Sequence, residues 1–111
     1  MKYDLRGRKP TAPEGKHFRR SADRWPPIVD LCEYFAPKES NACKDWYCSN
    51  LGHGLNAKQS GLLARRLEQV LDADVISAYS RRFVDFRLQC SEDSIREFAA
   101  FLKTCEGFQI N

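Results

Sequence analysis

No stretch of this chain approaches the roughly 18 consecutive apolar residues that a membrane-spanning helix needs, so a protein built on such helices is excluded. The first twenty residues also lack the apolar centre of a secretion signal, because charges run all through them. There is no internal repeat and no low-complexity tract, and the composition is neither collagen-like nor that of a disordered polyanion. Catalytic signatures are scarce too. No serine sits in an elbow-type motif, and no pair of carboxylates stands out among the fifteen Asp and Glu. The five cysteines, Cys32, Cys43, Cys48, Cys90 and Cys105, are an odd number without an export signal. That argues against a disulfide framework and for reduced thiols packed as small hydrophobes, with the cytoplasm as the expected compartment.

What is present is the material of one folded domain, 1–111. Hydrophobic residues make up 42% of the chain, with seven Phe, four Tyr and two Trp among its 111 residues. A chain of this size removes roughly 65% of its extended surface from water on folding. Charge is unevenly placed. Residues 1–24 carry eight Lys and Arg against three acids, whereas residues 25–111 carry ten against twelve. The chain thus reads as a basic, turn-rich N-terminal segment on a mildly acidic helical body. The segment either folds back on that body or meets an acidic partner. Its cations are scattered among Pro, Gly and Ala rather than clustered with aromatics, which is a poor signature for nucleic acid.

Periodicity supplies the elements. Tyr3-Asp4-Leu5-Arg6 alternates as a half-buried strand does. Pro26 and Pro27 suit a first helical turn, Ile28, Leu31, Cys32 and Phe35 form one apolar stripe, and Pro37 ends it, predicting a helix from about 26 to 36. A long connection follows, in which Asp45-Trp46-Tyr47-Cys48 is expected to add a strand. Asn56 with Gln59 reads as a capping box for a helix whose apolar stripe is Leu63, Leu67, Val70 and Leu71. Residues 75–89 fit two periods. Val84, Phe86, Leu88 and Cys90 alternate with polar residues, but Val75, Ile76, Tyr79, Phe83 and Phe86 form a helical stripe covering more of the segment, so a helix from 75 to about 88 is expected. Ser91 caps a last helix through Ile95, Phe98, Ala99, Leu102 and Cys105, ended by Gly107, and Phe108-Gln109-Ile110 alternates after it. The predicted architecture is mainly α, with about four helices on one core. A small two- or three-stranded sheet joins the N-terminal, 45–48 and C-terminal segments.

Three sets of residues are candidates for function. Arg19, Arg20 and Arg24, with Trp46 and Tyr47, combine cations and aromatics of the kind found at interaction surfaces. Gly52, His53 and Gly54 precede a helix N-terminus, where backbone N–H groups attract anions. Cys43, Cys48 and His53, with Cys32 or His17 as a fourth, are ligands zinc would accept, although their spacing matches no finger or ribbon. The same cysteines, as Cys48 with His53 or Cys43 with His17, would serve a thiolate enzyme, but no carboxylate is placed to orient the pair. No catalytic residue is nominated and no cofactor is expected. The leading reading is a small soluble binding protein that presents the N-terminal basic segment and the 46–55 loop to a protein with an acidic surface. A zinc-ordered module and a thiolate enzyme stand as alternatives.

As a set, several motifs resemble a family of small uncharacterised bacterial and phage proteins. They are Met1-Lys2-Tyr3-Asp4-Leu5-Arg6-Gly7-Arg8-Lys9-Pro10, Glu14-Gly15-Lys16-His17-Phe18-Arg19, Trp25-Pro26-Pro27-Ile28, the turn Asn50-Leu51-Gly52-His53-Gly54-Leu55, and Glu97 through Ile110. The resemblance spans most of the chain and implies a bacterial or phage origin, with a phage accessory protein that blocks a host factor as one concrete form. It implies no activity. His53 stands where relatives carry an acid, so a divalent cation held by an acidic loop is not expected.

Overall fold

The computed structural model describes residues 2–47 and 52–111. In chain order the elements are β1 (Lys2–Gly7), β2 (His17–Ser21), α1 (Trp25–Phe35), α2 (Pro37–Asn41), β3 (Gly54–Leu55), α3 (Ala57–Asp72), α4 (Ile76–Ser80), α5 (Glu92–Thr104) and β4 (Phe108–Ile110), with short 3-10 turns at Pro13–Gly15 and Phe86–Leu88. Among the described residues the fold is therefore mixed α/β, five helices with a four-stranded antiparallel sheet ordered β2-β1-β4-β3. It is not the mainly α fold with a smaller sheet that the periodicity predicts. None of these helices is long and apolar enough to cross a membrane.

The basic N-terminal segment is no loose tail, for it supplies β1 and β2. The alternation at Tyr3–Arg6 is realised in β1, where Tyr3 and Leu5 are buried while Lys2 and Arg6 stay wet. β2 escapes a reading by pattern because only one of its residues, Phe18, is strongly apolar. It pairs along β1 from Lys2↔Ser21 to Arg6↔His17. After β1, the amides of Arg8 and Thr11 each donate at 2.8 Å to the carbonyls of Gly107 and Thr104, strapping the chain to the end of α5. β4 pairs with β1 on one side, as the C-terminal alternation allows, and with β3 on the other.

The core lies between one face of the sheet and helices α1, α3 and α5. Trp25 is fully buried and touches the rings of Tyr3, Phe18, Trp46 and Phe98 at centroid distances of 5.6–6.2 Å. Each such side chain removed from water stabilises the fold by about 1.5–3 kcal/mol. α1 begins at the predicted prolines and α3 at the predicted capping box. There the Asn56 side chain accepts from the Gln59 amide at 2.8 Å and the Gln59 side chain accepts from the Asn56 amide at 2.9 Å. Ser91 likewise caps α5 by accepting from the Ser94 amide at 3.1 Å. Gly107 takes φ +87°, the left-handed geometry a helix end requires.

Three expectations are corrected. The segment 45–47 forms a bend, because the Asp45 carboxylate accepts from the Tyr47 amide at 2.9 Å and closes a turn. Its expected last residue, Cys48, lies outside the described residues, and the fourth strand is Gly54–Leu55 instead. The connection after Pro37 contains α2, where Pro37 opens a second helix in the act of ending the first. The expected helix over 75–88 stops at Ser80. The Ser80 hydroxyl donates to the Cys90 carbonyl at 2.8 Å and accepts from the Cys90 amide at 3.3 Å, folding 81–89 into a closed loop.

Candidate binding surface

The sheet's other face shows where the basic residues go. Arg6 faces His17 on β2 and Gln109 on β4, and Gln109 faces Gly54, so one polar row crosses all four strands. Beside it Asp4 gathers cations. Its carboxylate accepts from Arg6 Nε at 3.1 Å and lies 3.4 Å from Arg19 Nε and 3.5 Å from His17 Nδ1. Partial burial pushes this carboxyl up, but hydrogen bonds and charge from Arg6 and Arg19 outweigh it and hold Asp4 below its ordinary value.

Arg19, Arg20 and Arg24 are brought together. With Lys2 they line one open hollow of about 570 Å³ between the edge of β2 and the start of α5. They are not equally available. Arg20 lies 4.1 Å above the Phe18 ring and pairs with Glu97 of α5, so it ties strand to helix. Arg19 is shared with Asp4. The Arg24 and Lys2 side chains make no hydrogen bond or ion pair among the described residues and point their charge at water.

Trp46 does not join this surface. It is buried, its indole donates to the Ser40 carbonyl at 3.1 Å, and its own carbonyl accepts from the Trp25 indole at 2.9 Å. Tyr47 is 40% exposed and packs edge-on against Tyr3 at 6.0 Å, on the core side of β1. Of the two aromatics singled out in the sequence, one belongs to the interior and the other is its partly wet cover.

Gly52, His53 and Gly54 run along the far sheet edge. The His53 carbonyl accepts from the Ile110 amide at 2.8 Å, and a Cβ on Gly54 would sit 1.9 Å from the Phe108 carbonyl oxygen. These glycines let two backbones approach, which accounts for them without an anion. Among the described residues no three His, Cys, Asp or Glu side chains are grouped to hold a metal, while Cys48 of the Cys43–Cys48–His53 set lies outside them. The described cysteines, Cys32, Cys43, Cys90 and Cys105, are all buried and unpaired. Burial pushes every one of these thiols up, Cys43 to about 11 and Cys90 to about 12, the reverse of what an activated thiolate requires.

One surface feature escapes the helical reading. In the 81–89 loop Val84 is fully exposed, Phe86 is 78% exposed and Leu88 is half-exposed. The loop is firmly built. Besides the Ser80–Cys90 bonds, Gln89 donates to the Phe83 carbonyl at 2.9 Å, and Asp85 accepts from the Arg87 amide at 3.0 Å and the Arg87 guanidinium at 2.8 Å. The signal was the period-2 alternation of Val84, Phe86 and Leu88, whose apolar set faces water rather than a sheet. No family model, curated protein or solved structure matches the chain.

Proposed function

We propose that the chain is a binding protein that acts by contact, and that its partner is another protein presenting carboxylates. The observation that supports this is the hollow shared by Lys2, Arg19, Arg20 and Arg24, in which Lys2 and Arg24 are left without a counter-charge. Charges arranged this way steer an oppositely charged surface and fix its orientation more than they add raw affinity. The buried, reduced cysteines suit the cytoplasm. On the same reading the chain is akin to the small bacterial and phage proteins its motifs resemble, and blocking of a host factor is the concrete form of its action.

The test is affinity purification from bacterial lysate treated with nuclease, comparing the wild type with Arg19→Ala/Arg24→Ala. Both side chains are exposed, so the double variant is expected to melt at the wild-type temperature. The reading expects a protein retained by the wild type, released by raised salt and lost by the double variant. Equal retention by both chains, or retention that depends on intact nucleic acid, would contradict it.

A further inference from the structure

The arginine hollow continues past Arg24. A second hollow, of about 360 Å³, shares Arg24, Ser91 and Ser94 with the first and is lined beyond them by Pro27, Ile28 and Phe86. Resting on the reading above, we infer that the two hollows form one bipartite groove for a short segment of the partner chain. Carboxylates of that segment lie against Lys2, Arg19 and Arg24, and a large apolar side chain lies against Pro27, Ile28 and Phe86.

Charge decides the first half. The acids on the groove walls are already engaged. Glu97 pairs with Arg20, Asp93 with Arg96 at 3.0 Å, and the charge of Asp23 falls on Arg87. Arg24 stands at the start of α1 and Ser91 at the start of α5, so the positive ends of two helix dipoles flank the groove and add to the unpaired cations. Exposure decides the second half. Phe86 is held out by a loop whose own hydrogen bonds are satisfied, so its 78% exposure is built in rather than a matter of slack. An exposed aromatic beside a shallow apolar hollow, rimmed by cations, suits an acidic segment with one bulky anchor. A nucleic acid would find partners for its phosphates but only one exposed ring at this groove to stack on. A second copy of the chain would bring its own cations against these.

The experiment is selection of displayed random twelve-residue peptides on the full chain. It is followed by fluorescence anisotropy of an enriched peptide and of the same peptide with its apolar anchor replaced by Ala. The inference expects enriched peptides to pair Asp or Glu with Phe, Leu or Trp. Arg24→Glu should weaken both peptides at least tenfold. Phe86→Ser should weaken the parent at least tenfold and leave the Ala-anchored peptide unchanged. Three results would overturn the groove: no enrichment, enrichment of acidic peptides lacking a bulky anchor, or a chain that sediments as a dimer and becomes a monomer on Phe86→Ser. If Arg19- and Arg24-dependent capture of a protein persists while Phe86→Ser changes nothing, the groove falls and the broader reading stands. If capture ignores both arginines, the broader reading falls as well.

Discussion

The connections 38–47 and 81–89 carry the same local device and use it in opposite directions. Each contains Asp-aromatic-X, and in each the Asp side chain accepts from the amide two residues on, Asp45 from Tyr47 at 2.9 Å and Asp85 from Arg87 at 3.0 Å. In the first the aromatic, Trp46, is buried and exchanges hydrogen bonds with Ser40 and Trp25. In the second the aromatic, Phe86, faces water. Local chemistry sets the turn, and the room and partners on offer decide where the ring goes. Trp46 has both a polar handle and a cavity of aromatics to fill. Phe86 has no handle, and its neighbour Arg87 folds back onto Asp85 at 2.8 Å instead of opening a way inward.

The sharpest way to break this comparison is to truncate both rings. Trp46→Ala is expected to lower unfolding free energy by about 3–5 kcal/mol, and Phe86→Ala by less than about 0.5 kcal/mol, read from urea denaturation. Similar losses at the two sites would dissolve the contrast. Next comes alkaline pH, because each connection holds a buried thiol, Cys43 and Cys90. Their folded-state values lie above the ordinary 9.0, at about 11 and about 12. For a group raised in this way the stabilisation is complete below the unfolded value and is lost as pH rises through the folded one. Stability should therefore hold up to about pH 9 and fall from there through 11 and 12, as followed by circular dichroism. A flat profile over that window would contradict the burial of both thiols.

Smaller effects sharpen the picture. Ser80→Ala leaves the buried Cys90 amide and carbonyl without the hydroxyl that joins them, at an expected cost of about 1–3 kcal/mol. Hydrogen exchange should rise across 81–89 and not across 38–47. Asn56→Ala, which removes half of the capping box, should cost about 1 kcal/mol and leave both connections as they are.

Legibility followed how local each determinant is. The Asn56–Gln59 box, the Ser91 cap, the prolines of α1 and the stripe through Ile95, Phe98 and Leu102 are written in adjacent residues and are realised in the fold. β2 was hidden because its register comes from β1 and its only strong apolar residue is Phe18. The Ser80–Cys90 closure joins residues ten apart through one hydroxyl, so no periodicity reveals it. Of the candidate surface, the three arginines were visible as charge. Their meeting with Lys2, and the continuation toward Phe86, depend on how β1 and β2 lie against the starts of α1 and α5.

The most direct test of the account maps the contact itself, by titrating isotope-labelled protein with an enriched acidic peptide and following its backbone amide resonances. The account predicts shifts at Lys2, Arg19 through Arg24, Ser91 through Ser94 and Phe86. Shifts confined to Leu62, Arg65 and the hollow between α2 and α3, or none at saturating peptide, would contradict it.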